Sequence, residues 1–327
     1  MKLRRWLMFG IALLLSLGGL YLLLKDLDIK RLQAMLNLVD YHLFGLSLLI
    51  AVVSQLLPPL RWRVLLDRAA SYWHCTSALL ISNLVSALVP FRLGEVVRTG
   101  LIRRSDGIGV ATSVVTIIAG YILDVLSLLL LGLGLLLIVP LPSELLKASI
   151  ILITLIVIGS GCVAIGWRLW PDTATLDRRL ANNTGYQKNR TVVERIIPSL
   201  MILRDPLCLA QVTGLSLGFW IMTAFANFFL LIGLVRSDMS TIILLGVMLT
   251  FTAGIGRLLP ALPGSIGTVD AAVLLGLTSL GISYDEAVAL VLLLRLRYTL
   301  MTALTGIFGL GLQLLDETKK SAYLVSD

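Results

Sequence analysis

Six apolar runs dominate the chain, at about 6–24, 43–60, 110–139, 146–167, 207–235 and 287–314. A helix that crosses the hydrocarbon layer needs roughly 20 such residues. Buried runs of this number and length do not fit inside a soluble domain of 327 residues, and the composition agrees: 57% of residues are hydrophobic and only 14% charged. The pattern predicts an all-α polytopic membrane protein with about six full transmembrane helices. The first run follows Lys2, Arg4 and Arg5 but lacks a small-residue cleavage site, so it is read as an uncleaved anchor.

Two further apolar stretches, 75–90 and 241–282, are each interrupted by proline, glycine and an acidic residue. Leu88 to Val97 holds Pro90, Gly94 and Glu95, and Ala261 to Asp270 holds Pro263, Gly264, Gly267 and Asp270. Pro90 and Pro263, Gly94 and Gly267, Gly132 and Gly306, and Gly107-Ile108 and Gly281-Ile282 all keep a separation of 173 or 174 residues. Breaking a helix inside the hydrocarbon layer frees backbone groups that must face protein or water, so a break that occurs twice at constant offset points to an internal duplication.

Counting basic residues sets the expected topology. With both stretches re-entrant and a cytoplasmic N-terminus, 19 of the 27 Lys and Arg fall inside and 5 outside; with the first stretch crossing once and the second crossing out and back, about 8 fall inside and 16 outside. The positive-inside rule favours the first arrangement. It places two re-entrant hairpins in an inverted repeat within a single integral-membrane domain, 1–327. One half lies at about 43–139 and the other at about 207–314, joined by a polar cytoplasmic connector at 168–205. Both termini are then cytoplasmic, in a plasma (inner) membrane.

Charges at membrane depth mark the candidate site, because each costs roughly 3 kcal/mol near the bilayer centre. Asp124, Arg257, Asp270, Arg295 and Arg297 qualify, and Asn83, Glu95 and Arg98 join them from the first hairpin. Glu95 and Arg98, three apart, share a helix face and are placed to pair. Asp124 and Arg297 lie 173 residues apart, which suggests opposite charges meeting near a pseudo-symmetry axis, as an ion pair or as part of a polar cavity. Pro90, Gly94, Pro263, Gly264 and Gly267 are the expected hairpin turns, and a half-helix starting near Thr268 would offer its N-terminus to an anion or to the carboxylate of Asp270. The remaining arginines near span ends, Arg61, Arg63 and Arg68 among them, read as contacts to anionic headgroups.

Other chemistries find little support. Cys75, Cys162 and Cys208 form no CxxC pair, and His42 and His74 stand apart, so neither a disulfide framework nor a metal site is expected. Gly254-Ile-Gly256 lacks the third glycine and the strand of a dinucleotide fingerprint, and no GxxxxGK[ST] loop is present. The sequons at Asn182 and Asn189 fall in the cytoplasmic connector. No Ser/His, Cys/His or paired-aspartate constellation suggests an enzyme. No cofactor and no nucleic-acid partner is expected.

In order and spacing, several of these residues resemble the integral-membrane, flippase-like domain of lysylphosphatidylglycerol synthases. They are Arg61 to Leu66 after the second span, Asn83, Pro90-x3-Gly94-Glu95-x2-Arg98, Asp124, Pro263-Gly264-x2-Gly267-x2-Asp270 and Arg295. The chain departs from that pattern at Gly120-Tyr121, where the family often has Glu-Arg, and at Asp270, where it usually has glutamate. The resemblance covers nearly the whole chain and implies a stand-alone member without the soluble aminoacyl-transfer domain, hence no aminoacyltransferase activity. It also implies lipid partners and a flippase or scramblase that moves the headgroup of a phospholipid or polyprenyl-phosphate glycolipid. Two alternatives remain: a membrane scaffold for a lipid-modifying or cell-envelope enzyme, docked through 168–205, and a small-solute secondary transporter.

Overall fold

A computed structural model describes residues 39–89, 93–138, 205–235, 237–258 and 265–326, with single residues at 30, 37 and 154. The expected spans at 6–24 and 146–167 and the connector at 168–205 lie outside the described residues, as do the turn residues Pro90, Pro263 and Gly264. All regular structure among the described residues is helical: α1 (Tyr41–Ser54), α2 (Leu57–Leu65), α3 (Tyr72–Leu88), α4 (Gly94–Asp106), α5 (Val110–Ile138), α6 (Pro206–Ile232), α7 (Met239–Leu258), α8 (Thr268–Ser279) and α9 (Tyr284–Ser326).

Among the described residues, four stretches are long and apolar enough to cross a membrane: Tyr41–Leu65, Val110–Gly134, Pro206–Ile232 and Tyr284–Thr318. They match four of the six expected spans. Their side chains are arranged inside out. On α5, Val110, Val114, Ile118 and Ile122 form an exposed stripe at four-residue spacing, whereas Ser113, Thr116 and Ser127 are buried. On α9 the exposed residues include Leu300, Leu304, Ile307 and Phe308, and the buried ones Arg297, Thr302 and Thr305. Stripes of this kind would be a severe liability in water and are what a hydrocarbon solvent requires. Two of these buried hydroxyls bond back along their own helices, Ser127 Oγ donating to Leu123 O at 2.8 Å and Thr305 Oγ1 to Met301 O at 2.8 Å. The protein is an all-α polytopic membrane protein.

The Tyr41–Leu65 stretch is broken between α1 and α2. Pro58 and Pro59 have no N–H to offer the preceding turn, and the chain closes α1 with short three-residue bonds, Gln55 N to Val52 O at 3.1 Å and Leu56 N to Val53 O at 3.1 Å. The break leaves Ser54 and Gln55 buried at a helix end.

The two short helices have similar ends. At 12 residues, α8 is about 18 Å long and α4, at 13, about 20 Å, both less than the roughly 30 Å hydrocarbon core. The first residue of α4 is Gly94, and α8 starts directly after Gly267, its N-cap. Each ends at a glycine with positive φ, Gly107 (70°) or Gly281 (84°), and then passes into a long helix. A β-carbon on Gly94 would collide with Ser82 O and Ser86 Oγ of α3, so this glycine sets the close approach of α4 to α3. Gly256 does the same for α7 and α8, since a β-carbon there would lie 2.8 Å from Val269 Cα.

The chain divides into two compact units. One comprises Met1–Leu56, Thr76–Arg98 and Phe219–Asp327, the other Leu57–Cys75 and Thr99–Gly218, so each draws on both sequence halves. The first has its main core where Leu245 and Leu249 of α7, Val273, Leu274 and Leu277 of α8, and Val288, Leu290 and Val291 of α9 pack together. In the second, Val64 and Leu65 of α2 meet Ala119 and Leu123 of α5 and Cys208 and Val212 of α6.

Candidate functional site

Within the first unit, a cavity of about 80 Å³ lies among α1, α6, α7, α8 and α9. At roughly 10–15 Å³ for a water on this measure, it holds several waters or one small polar group. Two charged clusters line it.

The turn into α8 builds the first cluster. Ser265 (φ 55°) and Gly267 (φ 86°) both adopt left-handed backbone, which folds the chain sharply into the helix. Asp270, in the first turn, accepts from Gly267 N–H at 2.9 Å. The helix terminus expected to receive an anion is thus capped by its own carboxylate. The same carboxylate is gripped by Arg295 of α9, whose Nη2 lies 2.6 Å from both Oδ1 and Oδ2 and whose Nε lies 3.2 Å from Oδ1. Asp270 is buried and Arg295 about a quarter exposed. The pair ties α8 to α9 at the hairpin.

Arg297 anchors the second cluster, buried at 7% exposure. Its Nη1 donates to Ser47 Oγ at 2.7 Å and its Nη2 to Asn227 Oδ1 at 2.5 Å. The Ser47 hydroxyl in turn donates to Ala226 O at 2.6 Å. Asn227 Nδ2 donates to Thr250 Oγ1 at 2.7 Å, and Thr250 donates to Gly246 O at 2.8 Å. Each branch therefore ends on a backbone carbonyl, and the direction of donation fixes the amide orientation of Asn227. A connected polar network in a low-dielectric interior is rigid, and this one joins α1, α6, α7 and α9.

Of the residues expected from sequence, the cavity brings together Asp270, Arg295 and Arg297. The side chain of Arg257 lies outside the described residues. Asn83 is half-buried on α3 and donates to Gln55 Oε1 at 3.5 Å, which connects it to a residue of the lining. Glu95 and Arg98 form the expected ion pair on α4, with Nη1 to Oε2 at 3.5 Å.

Asp124 sits in the other unit, and its partner differs from the one the repeat suggested. Arg61 engages both of its oxygens, Nη1 to Oδ1 at 2.5 Å and Nη2 to Oδ2 at 3.0 Å, and adds a bond from Nη1 to Ser216 Oγ at 2.7 Å. Arg61 is therefore a buried structural cation, at 8% exposure, and not the headgroup contact its position near a span end implied. Gly120 leaves room for it: a β-carbon there would lie 3.3 Å from Arg61 Nη2. His74, expected to stand alone, has Nδ1 2.9 Å from both oxygens of Asp106, which also accepts from Ser71 N–H at 3.3 Å.

Sequence reasoning missed Ser47, Asn227, Thr250 and the pairing role of Arg61. Asn227 was within reach, since an amide in the run Phe225-Ala-Asn-Phe-Phe-Leu needs partners in lipid as a charge does. Ser47 and Thr250 carried no signal, because hydroxyls in membrane helices usually satisfy themselves on their own backbone.

Comparison with curated proteins and with solved structures returns no match for this chain. The family model described as the lysylphosphatidylglycerol synthase TM region matches residues 9–306, nearly the whole length, and the chain belongs to that family.

Proposed function

We propose that this protein is a lipid transporter, a flippase or scramblase that moves the charged headgroup of a phospholipid or polyprenyl-phosphate glycolipid through the cavity of the first unit while the acyl or prenyl tails stay in the bilayer. The observation that carries the reading is the placement of Asp270, Arg295 and Arg297 around one cavity, on helices whose outward faces are apolar. Ionisable groups inside a membrane are costly and mark substrate pathways. Membership of a family concerned with a membrane lipid points the same way.

At about 80 Å³ the cavity is too small for a whole glycolipid headgroup, so transport requires it to widen. The α7–α8 hairpin is the element suited to move. It turns on the left-handed backbone at Ser265 and Gly267 and is fastened to α9 by the Asp270–Arg295 pair. In this scheme both hairpins are re-entrant, the halves are inverted, and the protein resides in the plasma membrane with cytoplasmic termini. Reconstitution into vesicles with headgroup-labelled lipids tests it: transbilayer movement should exceed that of empty vesicles for at least one anionic lipid. Equal rates across a panel of anionic lipids would refute transport.

A further inference from the structure

The end of α1 brings an uncharged amide to the cavity. Ser47, Ala51 and Ser54 share the buried face of α1, and Gln55 closes the helix one turn after Ala51. Ala51, Ser54 and Gln55 all line the cavity. Pro58 and Pro59 have no N–H to return to the carbonyls of Ser54 and Gln55, so a continuous helix's partners for those groups are missing. Gln55 is itself buried, at 8% exposure. Among the described residues its side chain makes two hydrogen bonds, accepting from Asn83 Nδ2 at 3.5 Å and donating to Ser54 Oγ at 3.5 Å. Both are far longer than the roughly 2.9 Å of a good N–H···O bond. Ser54 gives its own proton to Ala51 O at 2.7 Å, so it can only accept from Gln55, which sets Nε2 toward Ser54 and Oε1 toward Asn83. A primary amide has two N–H donors and an oxygen with two lone pairs, so one donor and one acceptor site remain open on a buried group beside a cavity.

On the lipid-transport reading above, we infer that Gln55 is the residue by which the cavity selects its ligand, and that the group it selects is a hydroxyl. The hydroxyl belongs to a lipid headgroup, as in a glycerol or sugar, or to a free small polyol sharing the same chemistry. An open N–H beside an open lone pair calls for one partner that accepts and donates together, and a hydroxyl does both. An oxyanion only accepts and would set its charge against Oε1, whereas an ammonium only donates and would meet the Nε2 protons. Thr223 adds a second acceptor to the lining: its hydroxyl gives its proton to Phe219 O at 2.9 Å, which leaves the oxygen lone pairs for a donor. A methyl in place of the ligand hydroxyl would leave these groups unmet, which is how a site that hydrogen-bonds a hydroxyl rejects the analogue lacking it.

A matched pair of lipids isolates the hydroxyl from charge and size. Dioctanoyl phosphatidic acid esterified with ethylene glycol and the corresponding propyl ester carry the same charge and nearly the same headgroup volume, and differ by OH against CH3. Titration calorimetry on the purified full chain in micelles supplies the readout. The hydroxyl-bearing ester should bind at least tenfold more tightly than the propyl ester. Gln55→Met keeps the side-chain length and removes the amide, so it should weaken the hydroxyl-bearing ester about tenfold, leave the propyl ester nearly unchanged and bring the two together. Thr223→Val, which removes an oxygen bonded only to its own helix, should shrink the preference several-fold. Where Gln55→Met fails to fold, Thr223→Val and the wild-type comparison of the two esters decide. Ethylene glycol that displaces the hydroxyl-bearing ester at matching affinity supports the hydroxyl site and assigns it to a free polyol, and its failure to displace the bound ester assigns the site to lipid.

Equal binding of the two esters to wild-type protein, or a preference that persists undiminished in folded Gln55→Met protein, overturns the inference. Failure here is distinguishable from failure of the transport reading. Lipid movement that is indifferent to the hydroxyl sinks the role of Gln55 and leaves transport standing, whereas a hydroxyl preference in binding without lipid movement does the reverse.

Discussion

Breaking the Arg61–Asp124 pair should cost far more than deleting it. Asp124→Asn leaves a guanidinium at 8% exposure, with Ser216 and a neutral amide in place of a carboxylate held at 2.5 and 3.0 Å. An uncompensated charge at membrane depth costs about 3 kcal/mol, and removing one partner of a buried pair costs about 3–5 kcal/mol, so a destabilisation of about 3 kcal/mol is expected. Arg61→Met should also destabilise, but by less, because the carboxylate it leaves is about a fifth exposed. The double variant Arg61→Met/Asp124→Leu removes both demands at once. Ser216 is not orphaned by it, because its hydroxyl also donates to Val212 O at 3.0 Å. The double variant should therefore fall within about 1 kcal/mol of wild type, which is the behaviour of buried pairs replaced by apolar residues. Equilibrium unfolding in mixed micelles across the four proteins of the cycle measures this. Single variants that each lie within about 1 kcal/mol of wild type, or a double variant as unstable as the sum of the singles, would refute a buried structural pair.

Further outcomes follow from the turns and close contacts. Gly94→Ala places a β-carbon against Ser82 O and Ser86 Oγ and should destabilise by about 1–3 kcal/mol, seen in the same unfolding assay, whereas Gly100→Ala on the same helix meets open space and should not. Asp238 caps α7: it accepts from Ser240 Oγ and, at 2.7 Å, from Thr241 Oγ1, and these side-chain bonds, with that from Thr241 N–H, lower its pKa from 3.8 to about 2. Because the folded pKa lies below the unfolded one, the cap's contribution is complete above about pH 4 and fades as pH falls toward 2. Amide exchange at Thr241 and Ile242 should show that loss, and Asp238→Ala should show it already at neutral pH. Exchange that is insensitive to pH would argue against the cap.

Four of the six expected spans were legible because lipid demands long apolar runs. Gly94 and Gly267 were identified by spacing alone, and the short helices of the structure start at Gly94 and directly after Gly267. Asp270, Arg295 and Arg297 stood out through the cost of charge in hydrocarbon, and they line one cavity. Pairing was not legible in the same way. A constant offset in sequence does not require contact, so the 173-residue separation of Asp124 and Arg297 did not identify the partner of Asp124. Arg61 lies 63 residues from Asp124, and its sequence context, just after Pro58-Pro59, looks like a span end. Only the continuation of the helix as α2 through Leu65 carries it inside. Ser47 and Asn227, which Arg297 contacts, come from two other helices and have no charge to announce them.

Blocking the cavity without altering its charges tests most directly whether a headgroup passes through it. Thr223 is half-buried on α6, lines the cavity and bonds only the backbone of its own helix, at 2.9 Å to Phe219 O. Thr223→Trp would fill much of a space of about 80 Å³ and leave Asp270, Arg295 and Arg297 in place. In vesicles carrying a headgroup-labelled anionic lipid, wild-type protein should raise transbilayer movement at least tenfold above empty vesicles, and folded Thr223→Trp protein should return it close to the empty-vesicle rate. Full movement through the filled protein would show that the headgroup takes another route.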